Sequence, residues 1–407
     1  MRIAYLTQSY PPMISGAAIV VEGLARAMAN RGHQVLVIAA SERGPAYCIA
    51  EEKLTVLRME SLHNPLRVGQ RFLLYPRCSM MKTLREFDPE MIHAHEPLQL
   101  GLLGSEYAGE AKIPIILTVH QTPSFVASYL PNILRACVTN VLWIYARWFS
   151  RKVTSMITPT QTISELFTQM TGVSANTISS GINLEIFHPT LSGDEEAATR
   201  QKWNLPSSVP ILLHVGRLDV EKRVERVIQA AAGALHQTDA HLLIVGDGSR
   251  KNNLIKLCDE LGITARVHFT GFVSAQEDLS EIYRAATLFV TASEIETQGI
   301  VLLESAASGL PIVAVRATCI HEIVHNGING YLIESGDIHG MSNAITLLVE
   351  NTDQARILGR ASRALAAKHE ARYTWDAHER LYSDLARQAH TKRLSAPGQL
   401  PCEWWKV

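Results

Sequence analysis

The sequence predicts an α/β protein with two doubly wound parallel sheets, one in each half of the chain. Its 407 residues exceed what one hydrophobic core usually organises, which predicts two domains of about 200 residues each. An apolar share of 47% suits a well-buried α/β protein. In each half, short apolar runs alternate with segments of helical periodicity, and this spacing is typical of parallel βαβ units with right-handed crossovers.

The first half predicts strands and helices in turn. In order they are strand 3–7, helix 17–31, strand 35–40, strand 91–95, helix 98–111, strand 113–120, strand 156–159 and helix 162–171. The second half restarts the pattern with strand 211–215, helix 223–235, strand 242–245, helix 251–261, strand 267–269, helix 279–285, strand 288–291, helix 301–308 and strand 312–315.

A polar segment at residues 189–196 separates the halves and has the composition of a linker. We therefore expect one Rossmann-like domain over residues 1–190 and a second over residues 191–372. A helix at 373–389 is expected to cross back to the first domain, and a tail at 390–407, broken by two prolines, to be poorly ordered.

Composition excludes several functional classes. The chain has 38 Lys and Arg against 39 Asp and Glu, a formal net charge of −1, which argues against a nucleic-acid binder. Its six cysteines include no Cys-x-x-Cys pair, so we expect neither a zinc site nor a disulfide framework, and a reducing compartment. The start of the chain is too polar for a signal peptide, and the apolar segment 133–149 is too short and too interrupted to span a bilayer.

Ligands of open parallel sheets bind beyond the carboxyl ends of the strands. Gly16 lies in a small-residue turn that leads into a helix, where backbone N–H groups favour an anion; a plain strand-to-helix turn is the alternative. Arg217 and Lys222 follow another strand end and could neutralise a diphosphate without metal. They could equally be surface cations paired with Asp219 or Glu221.

A third loop carries two carboxylates, Glu296 and Glu304, on either side of Gly299. Glu304 lies on a predicted helix among leucines and alanines, so it should be buried, and a buried carboxylate needs a partner. Hydroxyl groups of a sugar or ribose would supply one, and the helix start at Gly299 suits a diphosphate. A structural salt bridge is the alternative.

Glu296 and Glu304, with seven residues between them and Ala-x-Gly-x-Pro at 307–311, resemble the signature of the retaining glycosyltransferases of family four. That family has the GT-B fold, in which two Rossmann-like domains face a cleft. Further matches run along nearly the whole chain: Pro11-Pro12 before Gly16, Gly32-His33, His93-Ala94-His95, Thr118-Val119-His120, Gly181-Ile182-Asn183, Gly216-Arg217 with Lys222, Gly246-Asp247-Gly248, Gly271-Phe272-Val273 and Asn329-Gly330.

The resemblance implies roles for individual residues. Arg217 and Lys222 would hold the donor diphosphate, which Gly16 approaches from the first, acceptor-binding domain. Glu304 would bind the ribose and the backbone near Val273 the base. The sugar would be held by Glu296 and by backbone at Gln298, Gly299 and Ile300, with His120 near the reacting centre. Glu322 resembles an acidic residue of the family, but the Gly-Gly that often precedes it is absent here.

The resemblance also implies retention of the anomeric configuration. No residue stands out as a covalent nucleophile, so we expect a front-face displacement in which the leaving phosphate accepts the acceptor proton. The chain has no Asp-x-Asp motif, and we therefore expect metal independence and no cofactor besides the nucleotide-sugar donor.

The acceptor is suggested by a segment without acidic residues, 111–164. It interleaves aromatic and apolar side chains with cations, which suits an anionic bilayer surface; packing into the core is the alternative. The residues concerned are Trp143, Ile144, Tyr145, Trp148 and Phe149 with Arg147, Arg151 and Lys152. Two further candidates are residues 67–85, with Arg67, Arg71, Arg77, Lys82 and Arg85 around Phe72, Leu73, Leu74 and Tyr75, and the tail residues Glu403, Trp404, Trp405 and Lys406.

Many relatives carry an aromatic residue where Gln298 stands, and with Gln there this loop is similar to that of bacterial diacylglycerol glucosyltransferases. The leading hypothesis is transfer of glucose from UDP-glucose to diacylglycerol or a related glycerolipid, at the cytoplasmic face of the cell membrane. Mannose or galactose donors, phosphatidylinositol and soluble sugar acceptors stay open, as does the oligomeric state. A non-catalytic nucleotide-sugar binding protein is the alternative from another class.

Overall fold

The computed structural model describes residues 1–13, 15–63, 71–73, 75–189 and 192–395, with side chains up to residue 391. They form two large sheets, each covered on both faces by helices and buried side chains. The predicted α/β architecture with two doubly wound sheets is confirmed. The predicted boundary at residue 190 falls on Thr190 and Leu191, which lie outside the described residues.

The first sheet has the strand order β10-β9-β8-β7-β1-β2-β4-β3 and is parallel except for β3. A small antiparallel hairpin, β5 with β6, accompanies it. The strands are β1 (Arg2–Leu6), β2 (Gln34–Ala40), β3 (Tyr47–Ala50), β4 (Leu54–Met59), β5 (Ser61–His63), β6 (Arg71–Leu73), β7 (Met91–Ala94), β8 (Ile115–Thr118), β9 (Ser155–Thr158) and β10 (Asn176–Thr177). The helices are α1 (Gly16–Asn30), α2 (Arg77–Phe87), α3 (Gln99–Ala111), α4 (Pro123–Ala127), α5 (Asn132–Ser150) and α6 (Gln161–Thr171).

Strands β3 to β6 were not predicted from the sequence. The central strands are continuous buried apolar runs, as is usual where both faces of a parallel sheet are covered. Strand β3, in contrast, lies at the sheet edge and is largely exposed, so its sequence carries little hydrophobic signal.

The second sheet is wholly parallel, in the order β13-β12-β11-β14-β15-β16. Its elements are α7 (Gly193–Lys202), β11 (Ile211–Val215), α8 (Val224–Leu235), β12 (His241–Val245), α9 (Lys251–Glu260), β13 (Val267–Gly271), α10 (Gln276–Ala285), β14 (Leu288–Thr291), α11 (Ile300–Ala307), β15 (Ile312–Val315) and β16 (Gly330–Ile333). The short edge strand β16 and helix α7 are additions to the prediction.

Three helices follow: α12 (Ile338–Glu350), α13 (Thr352–Ala366) and α14 (Ala371–Ser395). Helix α14 lies against the first sheet and α1. Its Tyr382 is fully buried and its hydroxyl is 3.2 Å from that of Tyr5, while Arg31 pairs with Asp376 and Glu379, each at 2.6 Å. The chain thus returns to its first half after completing the second.

The expectation that the chain is poorly ordered from residue 390 is wrong for residues 390–395, which continue helix α14. Polar side chains predominate over this last part, so the segment has little apolar periodicity to predict a helix. Residues 396–407, including the tryptophans of the predicted interfacial pair, lie outside the described residues.

Candidate active site

The amino ends of two helices meet between the sheets. Ser15 caps α1 by accepting a hydrogen bond from the backbone N–H of Ala18 at 3.0 Å. A Cβ atom on the next residue, Gly16, would lie 3.1 Å from Cδ1 of Ile300, the first residue of α11 in the other half. Exposed N–H groups at a helix start attract anions, and here two helix starts lie side by side.

Lys222 and Glu296 form an ion pair in the same region. Lys222 Nζ lies 2.5 Å from Glu296 Oε1, and their side chains are 18% and 12% exposed. The backbone around Glu296 is held by the next loop, because its N–H donates to Thr318 Oγ1 at 3.3 Å and its carbonyl accepts from the Cys319 thiol at 3.4 Å. The structure therefore joins one predicted diphosphate ligand to the predicted sugar ligand.

Arg217 is also paired with carboxylates. Its Nη1 lies 2.9 Å from Asp219 Oδ2, and its Nη2 donates to Glu221. This is the pairing that the sequence left open as an alternative to diphosphate binding. The Glu221 side chain is fully buried, and the hydroxyl of Tyr129, from the first half of the chain, donates to it at 2.9 Å.

Glu304 is buried on α11, with 4% of its surface exposed. It accepts a hydrogen bond of 2.9 Å from the hydroxyl of Tyr283, a partner that the sequence did not predict. Burial raises the pKa of Glu304 to about 7, although the Tyr283 hydrogen bond opposes this rise. Near neutral pH the carboxyl is thus poised between its two protonation states.

Both polar atoms of the Gln298 side chain are hydrogen-bonded to the neighbouring segment at Ser179 and Ser180. Its Oε1 accepts from the Ser180 N–H at 2.8 Å and its Nε2 donates to Ser179 Oγ at 2.7 Å, with 1% of the residue exposed. Since the amide of the side chain is used in this way, backbone groups are what residues 298–300 offer to a ligand. Val273, at the carboxyl end of edge strand β13, packs in the same apolar cluster as Leu302 and Leu303.

His120 follows β8 and meets the second half through Thr297. The Thr297 hydroxyl donates to the His120 carbonyl at 3.0 Å, and the Thr297 carbonyl accepts from Thr160 Oγ1 at 2.8 Å. The His120 ring lies 2.9 Å, Nε2 to Nδ1, from His95. Burial lowers the pKa of His120 to about 4, so the imidazole is neutral at physiological pH.

Glu322 has a structural role that its sequence context did not suggest. Its two carboxylate oxygens accept hydrogen bonds from the backbone N–H groups of Gln161 and Thr162, at 3.0 and 2.7 Å. It thereby caps α6 across the cleft, where a negative charge is favourable at the positive end of the helix.

The side chains of the segment without acidic residues, 111–164, are divided between the core and the surface. Trp143 and Phe149 are buried in the core of the first half, so the membrane interpretation is wrong for these two. The opposite side of α5 carries an exposed row at helical spacing, which we call the α5 stripe: Ile133 (88% exposed), Cys137, Val141, Ile144 (70% exposed) and Trp148. Lys152 lies 4.6 Å from the centre of the Trp148 ring.

The predicted second basic surface is largely neutralised. Arg77 pairs with Glu106 and Arg85 with Glu110, while Arg71 donates to Ser61. Arg67 and Leu74 lie outside the described residues, and Leu73 is buried. Within the described ranges, no group of three or more His, Cys, Asp or Glu side chains could hold a metal ion, and no helix is long and apolar enough to cross a membrane.

Comparison with known protein families identifies the family of this chain. Residues 14–186 match the model of Glycosyltransferase Family 4, and residues 195–365 match that of Glycosyl transferases group 1. A GDP-mannose-dependent alpha-mannosyltransferase of Mycobacterium tuberculosis is 30% identical over 372 residues, covering 89% of this chain and 92% of that protein. The chain belongs to the family 4 glycosyltransferases. As a member, it is a nucleotide-sugar-dependent hexosyltransferase.

Other relatives of this family 4 glycosyltransferase have different names. An alpha-monoglucosyldiacylglycerol synthase of Streptococcus pneumoniae is 28% identical over 82% of this chain and 75% of that protein. Among solved structures, a sucrose-phosphate synthase from Thermosynechococcus elongatus has a TM-score of 0.81 at 21% identity, covering 94% of this chain and 98% of that one. Anabaena HepE, solved with UDP and glucose, has a TM-score of 0.74 at 20% identity, covering 94% and 100%. The GT-B fold is thereby confirmed.

Proposed function

We propose that this glycosyltransferase moves glucose from UDP-glucose to a membrane glycerolipid such as diacylglycerol, with retention of configuration. The observation that carries the proposal is the continuity between the cleft and the α5 stripe. Tyr129 contacts Glu221 inside the cleft, and Ile133, four residues later, begins the exposed apolar row.

The α5 stripe has the properties of a membrane-docking surface. At 1.5 Å per residue, the stripe from Ile133 to Trp148 is about 22 Å long, and an exposed apolar row of this kind marks an interaction surface. The same segment has no Asp or Glu between residues 111 and 164 but contains Arg147, Arg151 and Lys152. Apolar side chains flanked by cations favour the surface of an anionic bilayer, where diacylglycerol would be within reach.

The donor diphosphate would bind beside the adjoining helix starts at Gly16 and Ile300. In this proposal Arg217 and Lys222 exchange their carboxylate partners for the diphosphate, which neutralises the leaving group without a metal ion. Glu296, released from Lys222, accepts hydrogen bonds from sugar hydroxyls. Glu304 accepts them from the ribose, and backbone near Val273 meets the base.

The acceptor hydroxyl would attack from the face that the diphosphate leaves. The carbon–oxygen bond to the acceptor forms as the bond to the diphosphate breaks, and the departing phosphate oxygen takes the acceptor proton. His120 is neutral at physiological pH because burial lowers its pKa to about 4, so its role is hydrogen bonding to the transferred sugar.

Mannosyl transfer is the second candidate. It is favoured by the Mycobacterium tuberculosis relative, whose name specifies a GDP-mannose donor and which matches over more of this chain than the Streptococcus pneumoniae protein does. With that donor, phosphatidylinositol or a soluble sugar would be the acceptors to test.

A partition experiment separates these possibilities. The purified full chain is incubated with radiolabelled UDP-glucose, UDP-galactose or GDP-mannose and with vesicles containing diacylglycerol or phosphatidylinositol, with and without EDTA. We expect label from UDP-glucose in the organic phase with diacylglycerol vesicles, unaffected by EDTA, and none with Glu296→Gln. Label in the organic phase only with GDP-mannose would replace the first candidate by the second, and label that stays in water with every donor would overturn lipid transfer.

A further inference from the structure

A row of three imidazoles lies under the cleft. The His95 ring stacks on His93, with ring centres 4.2 Å apart, and meets His120 edge to edge, with ring centres 5.2 Å apart and ring planes within 20° of each other. The His95 side chain is buried, and its backbone N–H donates to the Leu6 carbonyl at the end of β1. Its position is therefore fixed by His93 at a ring face, by His120 at the ring edge and by the backbone.

The neighbouring ring of His93 is itself anchored. Its Nδ1 lies 2.7 Å from the Tyr382 hydroxyl and its Nε2 lies 2.7 Å from Thr118 Oγ1. Tyr382 belongs to α14, so the returning helix completes the packing beneath His95. Packed on this anchored ring, His95 has little freedom to rotate away from His120.

The bond between His95 Nδ1 and His120 Nε2, 2.9 Å long, requires one of the two nitrogens to carry a proton and the other to accept it. Both rings are neutral near pH 7, because burial lowers the pKa of His120 to about 4 and that of His95 well below its ordinary value. Each ring therefore carries a single N–H, and the direction of this bond fixes both tautomers.

The other nitrogen of His95 decides the direction. His95 Nε2 is buried and has no hydrogen-bond partner among the residues that the structure describes. If it carried the proton, a buried N–H would be left unsatisfied, which folded proteins avoid more strongly than an unused acceptor. The favourable arrangement puts the His95 proton on Nδ1, where it is donated to His120 Nε2. The single proton of His120 must then lie on its Nδ1.

We propose that His95 is a positioning residue that fixes His120 in its Nδ1–H tautomer, so that the ring offers a hydrogen-bond donor, not a basic nitrogen, to the reacting sugar. The link to the sugar rests on the proposed function, in which His120 lies beside the donor site. Thr297, the residue after Glu296, supports that placement because its hydroxyl donates to the His120 carbonyl. With Nε2 occupied by His95, this nitrogen is not free to take the acceptor proton, which leaves that role to the departing phosphate.

Two variants of His95 separate hydrogen bonding from filling of space. In His95→Asn the side-chain amide nitrogen can take the place of Nδ1 and still donate, whereas His95→Leu fills the site without a donor. In wild-type protein labelled with ¹⁵N-histidine, we expect His120, assigned by the loss of its signals in His120→Gln, to show a protonated Nδ1 and an unprotonated Nε2. His95→Asn should preserve this pattern, and His95→Leu should shift His120 toward the Nε2–H form.

Kinetics with the transferred sugar provide the second readout. We expect His95→Leu to lower kcat about tenfold, the loss of roughly one hydrogen bond, with a smaller change in the donor KM. His95→Asn should restore most of this loss, which a purely packing role would not explain. An Nε2–H tautomer of His120 in the wild type, or an Asn variant as impaired as the Leu variant, would overturn the proposal.

The nuclear magnetic resonance measurement keeps this inference separate from the proposed function. The tautomer of His120 is read in the wild-type protein without any acceptor, so it can be obtained even if no lipid is glycosylated. If the Nδ1–H tautomer depends on His95 and transfer goes to a soluble acceptor, the positioning role stands and the lipid proposal fails.

Discussion

The hydroxyl of Tyr129, in the first half of the chain, donates a hydrogen bond of 2.9 Å to the buried carboxylate of Glu221 in the second. The same carboxylate accepts from Arg217. Without donor, therefore, the cation proposed to hold the diphosphate is neutralised by a group that also ties the two halves together. If Arg217 holds the diphosphate as proposed, donor binding and domain contact are coupled through one carboxylate.

Tyr129→Phe removes only the hydroxyl of this contact. We expect the free protein to favour a more open cleft, because one hydrogen bond of about 1 kcal/mol shifts a two-state equilibrium about fivefold. Small-angle X-ray scattering without donor should show a larger radius of gyration. Tyr75→Phe, at an exposed tyrosine, is the matched control. Identical scattering from both variants would show that the Tyr129 contact does not hold the cleft closed.

Glu296→Gln tests whether this carboxylate recognises the sugar. Lys222, paired with Glu296 at 2.5 Å, would lose its anionic partner and become freer to bind phosphate. We expect UDP to bind as tightly as to wild type or more tightly, while the preference for UDP-sugar over UDP falls about tenfold. Calorimetric titration with each ligand measures both. An unchanged ratio of the two affinities would remove Glu296 from the sugar site.

Glu304 should make donor binding depend on pH. Burial raises its pKa to about 7, and ribose hydroxyls that donate to the carboxylate would favour the ionised form and lower that pKa. Donor binding below about pH 7 should therefore release a proton, and donor affinity should increase as pH rises from about 5 to 8. Titration in buffers of different ionisation enthalpy measures the proton, and it should vanish in Glu304→Gln.

The same residue should affect stability with the opposite trend. Because the pKa of Glu304 is higher in the folded protein than its ordinary value of 4.5, the free protein should lose stability as pH rises from about 4.5 to 7. Gln at position 304 can still accept from Tyr283 without a buried charge. We expect Glu304→Gln to be more stable than wild type at pH 8, by on the order of 3 kcal/mol, and to show no such gain at pH 4. Denaturant unfolding at the two pH values decides this.

Ile144→Glu tests the α5 stripe. Ile144 is 70% exposed, so the folded protein should tolerate the charge, whereas contact with a bilayer would lose about 2 kcal/mol of apolar burial. We expect binding to vesicles with anionic lipid to weaken at least tenfold in a flotation assay. Ile357→Glu, at an exposed isoleucine of α13, provides the control on another surface. Equal binding by both variants would exclude the stripe as the docking surface.

Periodicity predicted the buried elements of this protein well, because a strand covered on both faces must be apolar throughout, as β11 and β12 are. Periodicity failed to predict the elements that are stabilised by tertiary contacts and have no regular apolar pattern of their own. Edge strand β3 is largely exposed, and the last turns of α14 are polar, so neither carries a clear apolar period.

Sequence alone also pointed to the residue types of the candidate site, since Glu296, Glu304, Arg217 and Lys222 follow strand ends where ligands of parallel sheets bind. Their partners could not be read from the chain. Glu304 meets Tyr283, and Glu322 caps α6 from across the cleft; such contacts join residues 21 and 161 positions apart. No local spacing encodes them.

The sequence by itself determined the α/β class, the duplication of the sheet and the chemistry available at the strand ends, because these depend on hydrophobic period and residue type. Only the tertiary structure decided which charges neutralise one another, which aromatic residues of 143–149 are buried, and that His95 supports His120. These properties depend on which side chains folding brings together, because the cost of a buried charge depends on its partners and the direction of a hydrogen bond depends on which groups can donate or accept.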